Sequence, residues 1–61
     1  ASAVVAAAAL ADAGNASLLL GDANAALNFF TRANAIRPNN SRIVSGLAIA
    51  TVRTENPFEA L

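Results

Sequence analysis

Sixty-one residues allow at most one small domain, and a chain this short buries a poor fraction of its surface. It has no cysteine and no histidine, so neither a disulfide nor a zinc site supplements the core. Net charge is zero with only 13% charged residues, and the arginines Arg32, Arg37, Arg42 and Arg53 form no basic run, which excludes the electrostatic footprint of a nucleic-acid binder.

The 56% apolar fraction is supplied largely by alanine, the best helix former but one that buries little area per residue. That predicts an all-α chain, closely stacked and thin in core. A first helix is expected from about Ser2 to Leu20. Leu10, Ala13, Gly14 and Ser17 share one face, mostly small, where a neighbouring helix can come close. Ala11, Asn15, Leu18 and Leu19 form a second stripe. The three successive leucines Leu18–Leu20 cannot all enter one seam, so part of that cluster is expected to meet a second surface. Val4, Val5 and the following alanines are apolar, but no basic segment precedes them. Asp12, Gly14 and Asn15 also interrupt the run well short of the ~20 residues a membrane span requires.

Gly21 is suited to a left-handed helix end, and Asp22 can cap a second helix running from about Ala23 to Ile36 or Arg37. Its inner stripe is Ala26, Leu27, Phe30 and Ala33, and Pro38 enforces the stop. So short a connection predicts that the first two helices form an antiparallel hairpin. Asn39 or Asn40 can cap a third helix, from about Ser41 to Arg53 or Thr54, in which Val44, Leu47, Ala48 and Thr51 repeat the spacing of the first packing face. Asn56, Pro57 and Glu59 then carry the signature of a fourth helix start, with the chain ending five residues later at Leu61.

Leu10, Ala13, Gly14, Ser17, Ala26, Phe30, Ala33 and Pro38 follow the order of large and small positions of a helix–turn–helix repeat about 34 residues long. The chain resembles the tetratricopeptide repeat family. Gly14, Ala26, Phe30 and Pro38 match the family's residues, whereas Leu10, Ala13 and Ser17 stand where it usually has tryptophan, leucine and tyrosine. One period further on, Val44, Leu47, Ala48, Thr51 and Ala60 occupy the same template, with identities at Ala16/Ala50, Ala26/Ala60 and Leu27/Leu61. The resemblance implies a first repeat over 7–40, a partial second over 41–61 and a helical extension at 1–6. The implied architecture is a fragment of a right-handed superhelix of antiparallel hairpins, with three helices and a truncated fourth.

The resemblance further implies a protein–protein interaction scaffold whose concave surface binds a peptide or partner protein. Carried over by position, that surface holds Asn15, Leu18 and Leu19 from one repeat and Arg42, Ser45, Ile49, Val52 and Arg53 from the next. Family members that clamp a peptide carboxylate use an asparagine at the position of Asn15. Ala11 and Gly46 stand where two further clamp residues would be, so that feature is not expected here. The apolar members of the set equally suit packing between repeats or between copies. Self-association through exposed apolar faces, by a homo-oligomer or adjoining repeats of a parent chain, is therefore the alternative expectation.

Without His, Cys, Lys or Tyr there is no base, nucleophile or proton shuttle, and no enzyme activity or cofactor is expected. Asp12 and Glu55 show no metal-ligand spacing. The sequons at Asn15 and Asn39 read as chance matches in an Asn-rich chain. Absence of lysine beside abundant alanine suggests a GC-rich bacterial genome and leaves a cytoplasmic or periplasmic location open.

Overall fold

The structure, a computed structural model, describes residues 2–55 and contains three α-helices: α1 (Ala3–Leu19), α2 (Ala23–Ile36) and α3 (Ser41–Glu55). There is no strand among the described residues. The fourth helix expected from Asn56, with its template residue Ala60, lies outside them.

Each helix start is set by a side chain that satisfies backbone donors the helix cannot. The Val5 N–H donates to Ser2 Oγ at 3.1 Å and the Ala25 N–H to Asp22 Oδ1 at 3.0 Å. Of the two asparagines offered for α3, Asn40 is the cap. Its Oδ1 accepts from the Arg42 and Ile43 N–H groups at 3.1 and 3.2 Å. Asn39 instead takes a left-handed φ of 65°, a conformation asparagine tolerates better than most residues.

Between α1 and α2 the chain reverses at Gly21, whose φ is 83°. The Gly21 N–H donates to the Leu18 carbonyl at 3.1 Å and the Asp22 N–H to the Ser17 carbonyl at 2.8 Å, closing a Schellman motif. Asp22 then caps α2 directly, so one reversal ends a helix and starts the next.

The core is built around a single ring. Phe30 is fully buried, and with it Ala26 and Ala33 on α2, Ala7 and Ala11 on α1, and Ile43 and Ala50 on α3. Leu10, Leu18, Leu27 and Leu47 pack against this cluster from its margins. One edge of the Phe30 ring faces Gly14 on α1 and the other faces Gly46 on α3. A Cβ at Gly14 would stand 2.7 Å from Phe30 Cε2, and one at Gly46 would overlap Cε1 and Cζ outright. The two glycines let both outer helices close onto α2 at the level of its aromatic side chain.

Three sequence expectations are corrected by this packing. Ala11, read as part of the second stripe, is buried, while Leu10 and Ala13 of the expected close-approach face are only half-buried. The buried seam of α1 is Ala7, Ala11, Gly14 and Ser17 because α1 approaches α3 as well as α2. On α3 the buried seam is Ile43, Gly46 and Ala50. Val44 and Ala48 are exposed, and Leu47 and Thr51 are half-buried. α3 packs against α2 and also meets α1, and in doing so it buries a different face from the one the repeat spacing singles out. Gly46, placed by position on the concave surface, is for the same reason inside the core.

Candidate binding groove

The last turns of α1 and α3 lie at the same end of the molecule. Between them an open groove of about 400 Å³ is lined by Asn15, Leu18, Leu19, Ile49 and Arg53. Leu18 forms the floor: it is half-buried and packed on the core, because the helix rotation that buries Gly14 and Ser17 turns Leu18 inward and leaves Leu19 outside. Asn15 and Arg53 contribute an amide and a cation to otherwise apolar walls.

Two further depressions share residues with this groove. One, of about 300 Å³, is formed by Ala48, Ile49, Val52 and Arg53 along α3. The other, about 410 Å³, runs between Leu18, Gly21 and Ala23 at the α1–α2 turn and again Arg53. Arg53 borders all three and is the charged residue among the described residues that line them. Its position in the last turn of α3 places a cation where the helix carbonyls concentrate negative potential, which favours that orientation.

The structure thus gathers Asn15, Leu18, Leu19, Ile49, Val52 and Arg53 into one continuous surface and leaves two members of the expected set outside it. Arg42 lies at the opposite end, in a cleft of about 100 Å³ shared with Asp12, Arg37 and Asn40. Ser45 is exposed on α3 and lines none of these depressions. Ala48, Gly21 and Ala23 join the surface unanticipated. Ala48 was absorbed by the repeat spacing as a packing position, and the backbone of the turn carries no side-chain signal at all.

No family model, curated protein or solved structure matches the chain. Its chemistry therefore has to be judged from the groove. Among the described residues that line it, an apolar floor flanked by one amide and one guanidinium can hold an extended segment and orient it through hydrogen bonds. Among the described residues no group of three His, Cys, Asp or Glu side chains could hold a metal ion. No helix there is long and apolar enough to cross a membrane.

Phe29, beside the inner stripe, is half-buried, and the Arg32 guanidinium lies over its ring at 6.0 Å from the centroid. That is the outer limit of a cation–π contact. The sequon at Asn15 sits inside α1, with the Ser17 hydroxyl buried and donating to the Ala13 carbonyl at 2.9 Å.

Proposed function

We propose that this chain is a tetratricopeptide-like helical scaffold without catalytic activity that binds a protein or peptide segment in the α1–α3 groove. The observation that carries the reading is the convergence of Asn15, Leu18, Leu19, Ile49 and Arg53 on one open surface. They come from two helices separated by a third, yet all five had been assigned to one face by position in the repeat alone. The binding mode that fits is a segment with an apolar side chain seated on Leu18 and Ile49 and an acceptor group toward Arg53.

Selection of binding peptides from a random library displayed on phage tests this. Peptides recovered on the wild-type chain are expected to lose affinity at least tenfold for Ile49→Arg, and to shift the NMR resonances of Leu18 and Ile49. Peptides that bind Ile49→Arg and Leu19→Arg as well as wild type would refute the groove assignment.

A second reading, self-association, is favoured by a separate observation. Leu19 and Leu20 are 90% and 85% exposed, whereas among the described residues the only large side chains inside the core are Phe30 and Ile43. Burying each such leucine against a second surface is worth about 1.5–3 kcal/mol, a large increment for a chain of this size.

A further inference from the structure

The end of the molecule away from the groove holds a cleft of about 100 Å³ that the proposed function does not use. Its floor is formed by the buried residues Ala7, Ala11 and Ile43, and its rim carries Asp12, Arg37 and Arg42. The room is that of roughly three water molecules, enough for one apolar side chain and too little for a segment. A buried apolar floor inside a charged rim is the form of a pocket that takes a single anchor residue.

The opposite end presents a side chain of that kind. Leu20 is 85% exposed at the α1–α2 turn and lines none of the three depressions around Arg53. Its N–H donates to the Ala16 carbonyl at 3.0 Å, and the Asp22 N–H to the Ser17 carbonyl at 2.8 Å. The backbone is therefore fixed on both sides of Leu20, and seating it elsewhere requires little further ordering.

We infer that Leu20 of one copy of this chain enters the Ala7–Ala11–Ile43 cleft of another. Charge favours this meeting of unlike ends. At the cleft, Arg37 and Arg42 outnumber Asp12, and the first turn of α3 adds positive polarity. At the other end Asp22 and Glu55 outnumber Arg53, and the last turns of α1 and α3 add negative polarity. Asp22 follows Leu20 by two residues, so its carboxylate arrives at the arginine rim as the leucine seats. Contact between like ends would instead set arginine against arginine. Each copy thus offers one leucine and one cleft to its neighbours. The inference rests on the self-association reading and names the surface that receives the exposed turn.

Sedimentation equilibrium of the 61-residue chain between about 1 µM and 1 mM tests the contact. The wild-type mass is expected to rise from 6.1 kDa to at least twice that value. Leu20→Asp removes the anchor and keeps the cleft. Ala8→Glu sets a longer, negatively charged side chain in the lining of the cleft and keeps the anchor. Both positions are exposed, so each variant is expected to retain its helical circular dichroism. Each alone is expected to associate about tenfold more weakly or worse, the loss that follows from leaving one leucine unburied. Mixed in equal amounts, the two are expected to form a complex of two chains and no more. In that complex Leu20 of the Ala8→Glu chain occupies the intact cleft of the Leu20→Asp chain, which two misfolded variants could not achieve.

A wild-type chain monomeric at every concentration overturns the self-association reading and this inference with it. Wild-type association that either variant leaves intact, or that mixing the two does not restore, overturns the contact between Leu20 and the cleft alone.

Discussion

Phe30 reaches two helices at once, and it can do so only because each of them presents a glycine to it. The two glycines have the same role on opposite sides of the ring but differ in how tightly they are held, the closer approach being at Gly46. Gly46→Ala is expected to destabilise the fold by about 1–3 kcal/mol, more than Gly14→Ala, as read by urea unfolding. The cause assigned is overlap with the ring rather than backbone strain, since Gly46 is mid-helix. Phe30→Leu should therefore recover part of the loss in Gly46→Ala, giving non-additive energies in a double-mutant cycle. Strict additivity would mean that the ring and the glycine do not constrain each other. Gly14 was legible in the sequence as a close-approach position, because small residues surround it at helical spacing. Gly46 was not, because it lies two positions away from where the repeat spacing puts its counterpart.

At the level of helices, the sequence was most informative at the ends. Ser2, Asp22 and Asn40 act as caps, Gly21 as the left-handed reversal and Pro38 as the stop, and each works through its immediate neighbours in the chain. Asn40→Ala is expected to cost about 1 kcal/mol, since the N–H groups of both Arg42 and Ile43 lose their acceptor. Asn39→Ala removes no acceptor from α3, so comparing the two melting curves separates the cap from the loop. Which face of each helix is buried was less legible. Spacing identifies apolar stripes, but α3 has stripes on two sides and alanine makes neither conspicuous. The choice between them depends on where α2 lies, which is a tertiary fact. Asn15, Leu18 and Leu19 line one groove because Gly14 and Ser17 fix the rotation of α1, whereas Arg42 at the start of α3 lies at the far end of the molecule.

For the molecule as a whole, the modest core sets the scale of every effect. At about 0.05–0.15 kcal/mol per residue, 61 residues give a total stability of roughly 3–9 kcal/mol. Losses of 1–3 kcal/mol at single positions are then a substantial share, which is also why a surface contributed by a partner or a second copy would matter. The placement of Phe30 has a consequence for how the chain opens. Because the same ring forms a wall for α1 and for α3, neither outer helix can leave without exposing the contact that holds the other. Partial opening of α3 should therefore not be cheap, and backbone amides near Gly14 and near Gly46 should exchange their hydrogens with deuterium through one common event. Slow protection of equal free energy at Ser17 and Ala50 is the expected result in native-state exchange, and markedly faster exchange at Ala50 would show α3 unlatching independently. Two outer helices sharing one ring would make this short chain a single cooperative unit.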